Sequence, residues 1–225
     1  MNKRNRESVL VIAAHPDDEL LGLGGTLCRH RDEGDVITIL LLSNGEDSRG
    51  KEISDPKKRL IQATLVAEKL NAELNTKNFP DNAFDSVPLL EITKSIEGII
   101  SGVRPSVIYT HHSEDLNIDH RLTFQAAITA ARPISGRSVK KIFTFETPSS
   151  TEWQDYNRKV FIPSYFSDIS KYLSEKNKLL SIYKDEIRSF PHPRSLEGIE
   201  VLAKYRGMEV GLLAAEAFQV VRIIK

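Results

Sequence analysis

The chain has 225 residues, 40% of them hydrophobic and 28% charged, enough to bury one sizeable α/β core. Its 31 basic and 31 acidic side chains cancel, which removes any global electrostatic case for nucleic acid or an anionic membrane as partner. A single cysteine, Cys28, excludes an internal disulfide framework and a cysteine-rich zinc cluster. The basic residues 1–8 lead into an apolar run of only six residues, 9–14, too short for a signal peptide, and no stretch of about 18 apolar residues offers a membrane span. These features point to a cytoplasmic protein with no integral membrane segment.

In chain order, residues 8–14 form a short apolar run of the kind found in a buried parallel strand. Helical spacing follows over 19–33, with Leu20, Leu23 and Leu27 on one side and Gly34 as the stop. A second buried strand is expected at 36–42, helices at 56–70 and 88–103, a strand at 107–110, a helix at 119–131 and a strand at 141–145. The tail reads as a helix around 169–183, a proline-rich break at 190–195, a helix from 196 to about 215 and a strand at 218–224. Repeated β-α order implies right-handed crossovers and a mainly parallel sheet. The expected fold class is α/β: one Rossmann-like domain over 1–225, helices on both sheet faces, and a C-terminal helical and strand extension. Ligands of such sheets lie beyond the carboxyl ends of the strands.

The segment His15-Pro16-Asp17-Asp18-Glu19 sits at such an end, where the first strand meets the first helix. A helix cap needs only one Asp or Ser there. At a tight turn, His15 and Asp18 can offer one imidazole and one carboxylate to a divalent ion, with Asp17 toward its open side. The alternative is an Asp-capped helix beside a solvated histidine. A second loop, from Asp115 through Leu116, Asn117, Ile118 and Asp119 to His120 and Arg121, occupies the equivalent place after the strand at 107–110. His120 would complete a set of two histidines and a carboxylate, the donor number of a catalytic zinc site with one open position. Taken alone, this loop is a helix cap with a surface histidine.

The first motif directly after an apolar strand, with Asp119-His120 about a hundred residues on, resembles the PIG-L/LmbE family of zinc-dependent N-deacetylases. Ser43-Asn44-Gly45-Glu46, Arg59 and Phe79-Pro80-Asp81 agree with it. The stretches 145–153 and 190–195 resemble a bacterial branch linked to surface-polysaccharide sugars. The resemblance implies zinc on His15, Asp18 and His120, Asp17 as general base, and Glu46, Arg59 and Asp81 around a sugar. It also implies an acetamido sugar, nucleotide sugar or glycolipid as substrate. Many members carry a histidine three residues before the last ligand; this chain has Asn117. Either Asn117 supplies the oxyanion donor, or His111 or His112 takes over the acid role.

Glu146 ends a strand at a ligand-binding position, and His192 and Arg194 in the proline-rich break can shape a substrate loop or a subunit contact, so a homo-oligomer stays open. Cys28 reads as core filling and His30 as solvent-facing. Gly22, Gly24 and Gly25 lie inside the first helix, which points to close helix packing rather than phosphate binding. Two other functions remain to be weighed. One is a metal-bearing carbohydrate-binding protein with little catalysis, against which Asp17 argues. The other is Mg²⁺-dependent phosphoryl transfer through Asp17 and Asp18, against which two histidines argue.

Overall fold

A computed structural model describes residues 5–45, 56–136, 138–155, 157 and 159–225. The elements are β1 (Ser8–Ala13), α1 (Asp18–Asp32), β2 (Val36–Leu41), α2 (Pro56–Lys69), β3 (Ala72–Thr76), α3 (Leu89–Val103), β4 (Val107–His111), α4 (Ile118–Ala130), β5 (Lys141–Phe145), β6 (Tyr165–Asp168), α5 (Leu173–Leu180), α6 (Leu196–Met208) and β7 (Ala215–Ile223). One sheet runs in the order β3-β2-β1-β4-β5-β7-β6. The first five strands are parallel, while β7 runs antiparallel to β5 and β6 antiparallel to β7. This is the expected α/β class, with the tail adding an antiparallel edge.

Alternation along β1 divides the core. Val9, Val11 and Ala13 pack with Leu20 and Leu27 of α1, Val66 of α2 and Leu179 of α5. Leu10, Ile12 and Ala14 pack on the other face with Ile92, Ile96 and Ile100 of α3 and Ala126 and Ala130 of α4. Both faces are covered, so the strand reads as a continuous apolar run. From β1 the chain winds out to β2 and β3, then crosses to β4 and β5. The strand order therefore reverses between β1 and β4, and the crevice beyond their carboxyl ends is where this architecture binds ligands.

The glycines of α1 serve packing. A Cβ on Gly22 would stand 2.3 Å from the Phe145 ring, and one on Gly25 would stand 2.8 Å from Ile169. At Leu23 the helix kinks, with φ −148°. The Leu21 carbonyl and the Gly25 N–H are partners in a regular helix. Here Lys176 Nζ donates to that carbonyl at 3.0 Å, and Gly25 and Thr26 donate to the two oxygens of Glu216 at 2.9 and 2.7 Å. Lys176 and Glu216 pair at 2.7 Å, both buried. One ion pair thus fixes the kink and ties β7 and α5 to α1.

Several expectations need correction. Strands β3 and β6 are additional elements, both with few apolar residues. Helix α6 stops at Met208 rather than near 215, because the chain folds back on Gly207, where a Cβ would lie 2.6 Å from the Leu212 carbonyl. His30 does not face solvent: it is buried, Nδ1 lies 2.7 Å from Asp35 and Nε2 3.1 Å from the Tyr109 hydroxyl. Cys28 is buried in the core, and burial pushes its thiol up to about 12. No helix among the described residues is long and apolar enough to cross a membrane.

Removing Glu216 leaves Lys176 and two N–H groups buried without their partner. Glu216→Ala is expected to cost about 3–5 kcal/mol, a fall in Tm of about 6–20 °C, read by thermal melting. A melt like that of the parent would mean that other groups hold the kink.

Candidate metal centre and active site

The loops after β1 and β4 meet at the reversal point. Asp17 adopts φ +108°, a left-handed conformation that turns the chain sharply out of β1. Its carbonyl accepts from Leu20 and Leu21 and opens α1. Its N–H donates to Glu19 Oε2 at 3.0 Å, and Glu19 Oε1 accepts from the Tyr183 hydroxyl at 2.8 Å. Burial raises the Glu19 carboxyl to about 8. Glu19 and Tyr183 therefore hold the strained turn from beneath.

His15, Asp18 and His120 converge. Asp18 Oδ2 lies 3.2 Å from His15 Nδ1 and 3.3 Å from His120 Nε2. A tetrahedral ion with bonds of about 2.0–2.1 Å has donor–donor edges of about 3.3 Å. Asp18 Oδ1 and His120 Nε2 are buried and make no hydrogen bond. Orphaned buried polar atoms of this kind are rare unless another group completes them. Burial pulls the two imidazoles down, yet neighbouring carboxylates outweigh it. Asp119, Asp18 and Asp81 hold His15 well above the usual imidazole range, and Asp18 and Asp115 bring His120 to about 9. The site favours positive charge among these three side chains, and the donor set fits a divalent transition ion.

Carboxylates stand behind both histidines. His15 Nε2 is 2.9 Å from Asp119 Oδ2 and 3.0 Å from Asp81 Oδ1, which leaves Nδ1 for a ligand. Asp119 also accepts the N–H groups of Asn82 and Phe84 at 2.6 and 3.0 Å. His120 Nδ1 lies 3.1 Å from Asp115 Oδ1, a charge contact rather than an aligned hydrogen bond. Asp115 accepts from the hydroxyls of Ser150 and Thr151, the latter at 2.6 Å. Such partners fix the tautomer and orientation of a ligating imidazole.

Asp17, only 3% exposed, directly precedes Asp18 of the trio. Arg194 Nη1 donates to its Oδ2 at 3.1 Å. Burial raises the carboxyl, Arg194 opposes, Asp18 and Glu186 add to the rise, and the result is about 7. Arg59 pairs with Glu186, which lies 4.0 Å from Arg194. Arg59, Glu186, Arg194 and Asp17 thus form one charge network at the edge of the centre.

The other candidate residues divide. Asp81 is at the centre through His15. Asn117 caps α4, its Oδ1 accepting from Asp119 N at 2.8 Å, while its amide donates to Asn82 Oδ1 at 3.1 Å. His111 accepts the Ala14 N–H on Nε2 at 3.0 Å, and its Nδ1 lies 3.3 Å from the Thr147 hydroxyl. Its ring stacks on His120 at 3.9 Å, and burial holds it well below the usual imidazole range. His111 is therefore a neutral plate behind His120. His112 donates from Nε2 to the Lys159 carbonyl at 3.0 Å. Glu146 is not brought to the centre: both its oxygens are held by Arg206 of α6, at 2.8 and 2.7 Å. His192 accepts the Arg194 N–H at 3.1 Å. Glu46 lies outside the described residues.

Sequence reasoning gave no role to Glu19, Asp115, Asp119, Tyr183 or Glu186. Asp115 and Asp119 carry a usable signal, since acidic residues beside a ligand histidine are candidates to orient an imidazole. Tyr183 and Glu186 carry none; only folding brings them near Asp17.

A Rossmann-like sheet with a buried His-Asp-His trio at its reversal point is a defined class of protein. The PIG-L family profile, described as GlcNAc-PI de-N-acetylase, matches residues 10–131, and the chain belongs to that family. Among its relatives, YaiS of Escherichia coli K12, an uncharacterized deacetylase, is 28% identical over 161 residues, covering 69% of this chain and 81% of YaiS. The diacetylchitobiose deacetylase of Thermococcus kodakarensis is 29% identical over 199 residues, 80% of this chain and 70% of that enzyme. In fold, the N,N'-diacetylchitobiose deacetylase of Pyrococcus horikoshii superposes with a TM-score of 0.78 at 19% identity, covering 97% of this chain and 85% of the other.

Asp119→Ala would free the His15 ring and orphan two N–H groups. Affinity for a divalent ion should fall about 10–100-fold, measured by competition with a chelator. Parent-like affinity would remove Asp119 from the orientation of His15.

Proposed function

We propose that the protein is a zinc-dependent N-deacetylase that hydrolyses the acetamido group of an amino sugar or its conjugate, releasing acetate and the free amine. The observation that supports this best is the pairing of a ligand trio with a separate buried carboxylate. Asp17 directly precedes Asp18, whose charge acts on it, and is held by Arg194 rather than by any of the three. A protein that only binds sugar has no use for a base there. Two imidazoles and one carboxylate suit zinc better than Mg²⁺, which prefers oxygen donors.

His15, Asp18 and His120 would hold the ion. When bound, it would polarise the acyl oxygen and make water easier to deprotonate. The chain's own residues do the rest. Asp17 accepts the proton of the water that adds to the acyl carbon, and a proton-accepting group near pH 7 is matched to that task. As the C–N bond breaks, Asp17 returns the proton to the departing nitrogen. Arg194 fixes the Asp17 carboxylate and opposes its premature protonation. Arg59 and Asp81 flank the sugar, with Glu46 assigned to the same role. Asn117 turns its amide from Asn82 to the oxyanion. A cytoplasmic location is part of the same reading, supported by the lone buried Cys28.

The test is acetate release across a panel of acetamido sugars, nucleotide sugars and glycolipids. Asp17→Asn is expected to keep about one metal ion per chain while turnover falls about a hundredfold or more; His120→Ala should lose most of the metal. An Asp17→Asn enzyme as fast as the parent would place the base elsewhere.

Asn117→Ala separates the two oxyanion assignments. If its amide is the donor, turnover falls about a hundredfold with metal retained. A mild Asn117→Ala and a severe His112→Ala, compared by kcat at equal metal content, would reassign the role.

A further inference from the structure

The turn 147–153 serves the centre from two sides. Ser150 and Thr151 donate to Asp115, the carboxylate beside His120. The Pro148 carbonyl and Ser149 hydroxyl accept from Arg194 Nε at 3.3 and 2.8 Å, and the same guanidinium reaches Asp17. The turn is closed on itself by Thr147 N–H to the Thr151 hydroxyl at 2.8 Å and Ser149 N–H to Glu152 at 2.6 Å. Trp153 ends it and is 51% exposed. Its indole meets His192 edge-on, with ring centroids 5.4 Å apart and planes at 79°. His192 in turn accepts the N–H of Arg194. An exposed indole thus meets the imidazole that holds the backbone of Arg194, the residue whose guanidinium touches Asp17, and stands three residues, at most about 11 Å of chain, from Ser150.

Core packing does not account for a half-exposed tryptophan at the end of a rigid turn. Such a side chain offers a broad apolar face and has little freedom left to lose on binding. Resting on the deacetylase reading, we infer that Trp153, braced by His192, is a stacking platform for a second sugar ring attached to the acetamido sugar, so that the substrate is a disaccharide or longer glycan. The C–H face of a pyranose matches the indole. A nucleotide sugar would bring a diphosphate instead, and the guanidiniums of Arg194 and Arg59 are already paired with Asp17 and Glu186.

Trp153 is the only tryptophan of the chain, so indole emission reports this platform alone. Metal-loaded Asp17→Asn protein is titrated with N-acetylglucosamine, N,N'-diacetylchitobiose and UDP-N-acetylglucosamine. The disaccharide should change the emission saturably at concentrations about tenfold below those the monosaccharide requires. In the active enzyme, Trp153→Ala should raise KM for the disaccharide about tenfold, more than it alters kcat, and erase the preference over the monosaccharide; Trp153→Phe should recover most of the loss. A disaccharide that is deacetylated with neither the emission nor the Trp153→Ala KM moving overturns the platform and leaves the deacetylase reading standing. Tightest saturation by the nucleotide sugar overturns the choice of a second sugar ring. An enzyme that releases acetate from no sugar ends the deacetylase reading, and the emission titration then still decides whether Trp153 meets a glycan. Should Trp153→Ala fail to fold, Trp153→Phe and the titration decide.

Discussion

Desolvation governs this molecule. Asp17, Asp18, Glu19, Asp115 and Asp119 are all buried with His15, His111 and His120 at the carboxyl end of two neighbouring strands. Isolated, each charge would be costly in such surroundings. The arrangement is stable because charges alternate: Asp18 lies among three imidazoles, Asp119 and Asp115 stand behind two of them, and Arg194 faces Asp17. His111 stays neutral, since its Nε2 is committed to the Ala14 N–H. The pattern still leaves Asp18 Oδ1 and His120 Nε2 without a hydrogen bond, and that deficit is what a cation among these side chains would meet.

The sheet imposes the second constraint. Reversal of strand order between β1 and β4 opens a crevice at one end, and the loops after both strands must cross it. That explains why residues over a hundred positions apart share one site. It also explains the backbone at Asp17: a chain leaving β1 and entering α1 within a few residues needs a sharp turn. Glu19 supplies an acceptor for its N–H where regular structure offers none.

Parallel strands buried on both faces declare themselves as apolar runs, so β1, β2, β4 and β5 were legible. Strand β3, Ala72–Thr76, lies at an edge and is only partly buried, and β6, Tyr165–Asp168, has four residues with one fully buried; neither needs an apolar run. The convergence of His15, Asp18 and His120 was legible as a candidate ligand set because the turn chemistry exceeds what a helix cap requires. His30 was misread because its partners are Asp35, beyond the helix end, and Tyr109, on a distant strand. Glu146 was placed at a ligand position by topology alone, and Arg206 of the last helix claims it.

The family match ends at residue 131, yet much of what surrounds Asp17 comes later in the chain. Thr147, Ser150 and Thr151 hold His111 and Asp115; Tyr183 holds Glu19; Glu186 and Arg194 complete the charge network. The pair Lys176–Glu216 then locks this tail onto α1 through the N–H groups freed at the Leu23 kink. The first half thus carries the groups suited to bond hydrolysis, and the second half shapes their surroundings.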